Sequence, residues 1–270
     1  MYLYLIKLRS FMMSLSSSKV LITSGCSFSA PWGDETTNTW IKYFQEKYGF
    51  ELYSHSGMGA AGNEMITQRL MYSINNALQK GYTDITLAVM WSEHHRNDVF
   101  TKDWSLDIDT DNGNIMFNNH IYTNIDEGAN HNITSGFIRP GGFPHNEDYY
   151  RNEKQRNWLL DYYKFYNEEY SLLCTLKNVI LIQSICKQNN IKCIMFVMRN
   201  IFEELPRYPQ LNYLQKMVDW DKFIFFEEEY GLFEYTLVND LKFWDNGFHP
   251  KYEAHKHFID FFDDEIKKRL

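Results

Sequence analysis

Three side chains that together make a hydroxyl reactive lie far apart in this chain: Ser27, Asp245 and His249. A serine hydroxyl is a weak nucleophile at neutral pH. It needs a base within hydrogen-bond reach, and the base needs an acceptor that orients it and stabilises its charged form. His249 has the chemistry of the base, and Asp245 that of the acceptor. The oxyanion formed on attack needs preorganised donors. The backbone N–H groups of Ser27 and Gly62, the side chain of Asn63 and the hydroxyl of Ser92 are the candidates. Trp91 and Arg96 flank Ser92 and are candidate substrate contacts. Arg96 reads equally well as an anion contact or as plain surface charge.

Each residue has a plainer reading. Ser27 can cap a turn, Gly57, Gly59 and Gly62 can make a tight bend, and His249-Pro250 can start a helix. Cys26 is a weaker nucleophile candidate, because a thiol beside a buried strand is usually inert. Glu93, His94 and His95 are adjacent, so their side chains diverge and are not expected to share a metal. No metal or cofactor is required by the serine chemistry, and none is expected.

The elements that must position these residues read as an α/β alternation. VLIT at 20–23 is a short buried strand running into SGCSFS. Residues 38–48 carry Trp40, Ile41, Phe44 and Tyr48 at helical spacing and end before Gly49. Residues 51–54 read as a second strand. A glycine-rich loop, SGMGAAGN, follows, with Asn63 as N-cap of a helix over 64–79 that stops at Gly81. DITLAVMW at 84–91 is the central strand. Residues 100–152 change character: a hairpin around 111–113 and an aromatic loop read as an insertion or lid over the sheet. A long helical stretch over 153–189 and a buried strand at 191–198 follow. The loop DNGFHP then leads into a C-terminal helix with Pro250 in its first turn and His255 and His257 solvated. This pattern predicts one domain over 1–270, with a mostly parallel sheet and helices on both faces. Loops at one edge of such a sheet meet, which is how distant residues would converge.

Composition narrows the partners. A net charge of −8 and no basic run argue against nucleic acid. Cys26, Cys174, Cys186 and Cys193 show no CxxC pairing, which fits reduced thiols and a cytoplasmic setting. The N-terminal apolar runs are interrupted by Lys7 and Arg9 and are too short to span a bilayer, so no membrane partner is expected. Met12 and Met13 offer alternative starts that would make residues 1–18 an extension. The aromatic content of 17% exceeds what a core alone demands and suggests a ligand surface. Tyr149, Tyr150, Tyr162, Tyr163 and Tyr166 read first as core or interface.

The order of these blocks resembles the SGNH, or GDSL-type, hydrolases. Gly25-Cys26-Ser27 matches the elbow after their first strand, Gly62-Asn63 their glycine loop, and Asp245…His249-Pro250 their final Asp-His pair. There are three departures. Cys26 stands where the family has Asp, and Ser92 stands near the place of its oxyanion-hole Asn. Asp245 precedes His249 by four residues, with Asn246 at the usual distance of three. The resemblance implies a three-layer α/β/α sandwich with a flavodoxin-like sheet. It implies hydrolysis of a small acyl ester by a Ser-His-Asp triad, with an O-acetyl group on a carbohydrate as the expected substrate. An acyltransferase using the same residues and a binding module that has lost the chemistry are the alternatives.

Overall fold

The computed structural model describes residues 18–30, 39–59, 61–96, 98–100, 122–125, 137–138, 157, 161, 164, 167–244 and 247–270. The first strand, β1 (Val20–Gly25), is buried along its whole length, as its unbroken small and apolar run requires of a central parallel strand. Helix α1 (Trp40–Lys47) follows. It ends at Gly49, whose φ of +70° lies in the left-handed region that glycine enters without a steric penalty. Then come β2 (Leu52–His55), α2 (Asn63–Gln79) and β3 (Ile85–Trp91). Two-residue strands β4 (Val99–Phe100), β5 (Tyr122–Thr123) and β6 (Phe137–Ile138) precede helix α3 (Glu168–Gln188) and strand β7 (Lys192–Val197). The C-terminal part carries α4 (Asn212–Gln215), α5 (Leu232–Val238), α6 (Tyr252–Phe261) and α7 (Asp263–Arg269).

The main sheet has the order β5-β2-β1-β3-β7. β2, β1, β3 and β7 are mutually parallel, and β5 joins the edge antiparallel. Side chains alternate across a strand, so each strand feeds two cores. Val20, Ile22, Leu87, Val89, Met195 and Val197 pack under α2 and α3. Leu21, Ala88, Met90, Ile194 and Phe196 pack on the other face, under α1, α5, α6 and α7. Helices on both faces make the arrangement compatible with three α/β/α layers. Much of the aromatic excess belongs to this second core. Trp40, Phe44, Phe196, Phe258 and Tyr235 meet there in edge-to-face contacts, an arrangement favoured by the ring quadrupoles.

Several expectations need adjusting. The hairpin at 111–113 and the tyrosines at 149, 150, 162, 163 and 166 lie outside the described residues. Tyr122–Thr123, from within the expected lid, extends the main sheet instead. Asn63 is not the N-cap of α2. Gly62 holds that position, and Asp98 caps the helix from a distant loop, its carboxylate accepting from the N–H groups of Gly62 (3.0 Å) and Met65 (2.8 Å). Pro250 lies before α6, bridged to Phe243. His255 is not solvated: it faces the core and is buried. Among the described residues no helix is long and apolar enough to cross a membrane.

The sheet order sets where a site can form. From β1 the chain moves to β2 on one side, and β3 then returns to the other side of β1. The carboxyl ends of β1 and β3 therefore flank a topological switch point, where crevices open in sheets of this kind.

Candidate active site

Ser27 sits on the turn that leaves β1. The exit is tight: a Cβ on Gly25 would lie 2.1 Å from Ser29 Oγ and 2.9 Å from the Met90 carbonyl oxygen. The N–H groups of Ser29 and Ala30 both donate to the Cys26 carbonyl, at 2.9 and 3.0 Å, closing the bend over Ser27 and Phe28. Trp40 Nε1 donates to Ser29 Oγ at 2.9 Å and ties the bend to α1. Ser27 is 6% exposed. Cys26 is fully buried, with its sulfur 3.4 Å from Met198 Sδ, so its thiol faces the core and not a substrate.

The loop after β2 lies against this bend. The N–H of Ser56 donates to the Thr23 carbonyl and that of Met58 to the Gly25 carbonyl, each at 2.9 Å. Fully buried Arg69 supports the loop from α2, Nε donating to the Ser56 carbonyl at 2.7 Å. Three of the four nominated oxyanion donors are engaged. The Gly62 N–H is held by Asp98. Asn63 Nδ2 donates to the Ser92 carbonyl and to Thr175 Oγ1, both at 3.0 Å, while its Oδ1 accepts from the Ser92 N–H at 2.8 Å. Asn63 therefore clamps the start of α2 to the end of β3. Ser92 Oγ faces Met198 Sδ at 3.6 Å. Trp91 does not line the crevice. It is fully buried in the core under α2 and α3, its Nε1 directed at Met195 Sδ, because β3 turns that side chain to the α2–α3 face of the sheet.

Gly62 is also a place where two loops touch closely. A Cβ there would stand 1.8 Å from the Arg96 carbonyl oxygen and 2.8 Å from Asp98 Oδ2. Gly62→Ala is therefore expected to lose about 3 kcal/mol of stability, since backbone must move to admit it. Gly81, with φ +84° and open space around it, supplies the comparison. Gly81→Ala is expected to lose only about 1 kcal/mol. Urea denaturation of both variants checks this. Equal losses would contradict the close approach.

His249 lies on the last loop before α6. The Trp244 N–H donates to its carbonyl at 2.8 Å, the Gly247 N–H donates to the Trp244 carbonyl, and Gly247 turns with φ +69°. The His249 ring lies 5.7 Å, centroid to centroid, from the ring of Phe28, the residue next to Ser27. The final loop thus folds back onto the first elbow. Burial, with a smaller push from the Arg96 guanidinium, lowers the His249 imidazole to about 4. At neutral pH the ring is uncharged and can accept a proton. Asp245 and Asn246 lie outside the described residues.

Beyond β3 stands a group that sequence reasoning found only in part. Glu93 is 3% exposed and receives three partners: Arg199 Nη1 at 2.6 Å, His95 Nε2 at 3.2 Å and Arg96 Nε at 3.4 Å. Burial alone would raise its carboxyl. The His95 hydrogen bond and the two guanidiniums outweigh that and hold it at about 2. His94 turns away, its Nδ1 3.1 Å from the Ile201 carbonyl. Arg199 had no sequence signal. It follows a strand, and only the β3–β7 pairing brings it beside Glu93.

The structure therefore brings Ser27, His249 and Arg96 to the same edge of the sheet, with Gly62 and Asn63 in the adjoining loop. Comparison of the chain with protein-family models, with curated proteins and with solved structures returned no match.

Proposed function

We propose that the protein is a serine esterase of the SGNH type, acting on a small acyl ester, with an O-acetylated carbohydrate as the preferred substrate. Ser27 Oγ attacks the ester carbonyl while His249 accepts its proton. The tetrahedral adduct collapses, and His249 returns the proton to the departing alcohol. A water, deprotonated by His249, then attacks the acyl-serine and releases the acid, restoring Ser27. The observation that carries this reading is the packing of the His249 ring against Phe28. It sets an uncharged imidazole beside a serine-bearing bend at the switch point of a parallel sheet. Asp245 takes the orienting role in this scheme.

The resemblance of the three sequence blocks supports the same family. The engagement of Gly62 and Asn63 favours the alternative of a binding module, since two expected oxyanion donors are already used. In the hydrolase reading the Ser27 N–H carries the larger share of that task.

Acetate release from an O-acetylated oligosaccharide tests the proposal. Release in water, with no requirement for an added alcohol, is the expected result. Transfer to an acceptor sugar without free acetate would identify the acyltransferase instead. Neither product would leave only the binding module.

A further inference from the structure

We propose that the crevice holds a monoanionic oxyanion of the substrate, a carboxylate in the first instance, between the guanidiniums of Arg96 and Arg199. Arg96 is only 8% exposed, yet it reaches Glu93 through Nε alone. Its two terminal nitrogens have no partner among the described residues. Arg199 gives Nη1 to Glu93, lies over the Phe233 ring at 4.5 Å, and is 32% exposed along its side chain. Two guanidiniums thus share one carboxylate. Carboxylates on the adjoining loops are engaged by backbone: Asp98 by Gly62 and Met65, and Glu234 by Gly231 and Asn200. A buried charge left without a counter-charge is costly. Among Glu93, Arg96 and Arg199 the charges sum to one positive, which matches a monoanion better than a dianionic phosphate, and the planar forks match a carboxylate.

This deepens the esterase reading and rests on it for the reaction, though not for the binding. It also resolves a conflict in that reading. The Arg96 charge opposes the imidazolium that His249 must form. A carboxylate seated on Arg96 offsets that charge, so an anionic substrate would make its own base more effective. The favoured substrates are then esters that carry a carboxylate near the scissile bond, such as acylated acidic sugars.

Calorimetric titration with benzoate, and with benzamide as its neutral counterpart, tests the site. Benzoate is expected to bind and benzamide not to. Arg96→Gln or Arg199→Gln is expected to weaken benzoate by about tenfold or more. Should Arg96→Gln fail to fold, the partly exposed Arg199 decides. Equal binding of the two probes, or benzoate affinity untouched by Arg199→Gln, overturns the proposal. The same samples are treated with a fluorophosphonate. Labelling of Ser27 without benzoate selectivity removes the anion site and leaves the esterase. Benzoate selectivity without labelling keeps the anion site and removes the esterase. With para-acetoxybenzoate and phenyl acetate as substrates, the carboxylate ester is expected to have the higher kcat/KM, and Arg199→Gln to bring the ratio toward one.

Discussion

Replacing Ser27 by alanine is expected to lower kcat/KM for para-nitrophenyl acetate by about a thousandfold or more, because no other group in the scheme can form the acyl intermediate. The fold should survive. Ser27 is a small residue on a turn held by the Cys26 carbonyl, the Met58 N–H and Trp40, and none of those contacts uses its side chain. The urea midpoint should therefore move little, with a change within about 1 kcal/mol. His249→Asn is expected to lose a comparable factor. The double variant should lose no more than either single one, because residues that act as a unit are not additive. Cys26→Ala separates the thiol from the hydroxyl. With its sulfur packed on Met198, the thiol is expected to contribute nothing to turnover. Residual activity in Ser27→Ala that disappears in Cys26→Ala would move the nucleophile by one residue.

A second large effect concerns acid. His55, His249 and His255 are each lowered below the ordinary 6.5 chiefly by burial, to about 3, about 4 and about 3. Smaller contributions come from Lys42 on His55, Arg96 on His249 and His249 on His255. His55 is wedged between Thr23 Oγ1 at 2.9 Å and Gln45 Oε1 at 3.0 Å. His255 is buried with no partner for Nδ1. An imidazole whose folded pKa lies below its unfolded value binds fewer protons folded than unfolded. Its contribution to stability is complete above about pH 6.5 and falls as the pH drops toward the folded value. Three such groups, discounted for the partial exposure of His55 and His249, cost about 3 kcal/mol for each pH unit between about 6 and 4. That loss is large against the 5–15 kcal/mol, roughly, that holds a typical domain together. Glu93 acts lower down. Its carboxyl is held at about 2, so its contribution is lost only as the pH falls from the ordinary carboxylate range through that value. Urea midpoints measured downward from neutral pH should drop steeply before carboxylates titrate. His255→Gln should flatten that slope. A midpoint constant down to the carboxylate range would contradict the burial of these rings.

The sheet was legible in the chain because β1, β3 and β7 are short and largely apolar runs. DITLAVMW and IKCIMFVM became β3 and β7, with no end shifted by more than one residue. The packing of the final loop on the bend after β1, His249 against Phe28, was legible for a related reason: parallel strands put their following loops on one edge. What escaped reading was tertiary. Asp98 caps a helix that begins 35 residues earlier, and no local pattern marks a cap supplied from another loop. Asn63 looked like that cap because Asn before a helix usually is. The structure uses its amide to join α2 to β3 instead. Trp91 looked available because it ends a strand beside Ser92, but the alternation of side chains sends it into the core. Arg199 could not be linked to Glu93 without knowing that β7 lies next to β3. His255 reads as a polar residue on a C-terminal helix, and only the packing of α6 on the sheet reveals it as buried.

The most direct measurement is intact-protein mass spectrometry after exposure to a fluorophosphonate, above the pH at which His249 loses its proton. One adduct per chain is expected, mapped by digestion to the peptide containing Ser27 and absent from Ser27→Ala and His249→Asn. No adduct, or an adduct on another residue that persists in Ser27→Ala, would contradict the assignment of Ser27 as nucleophile.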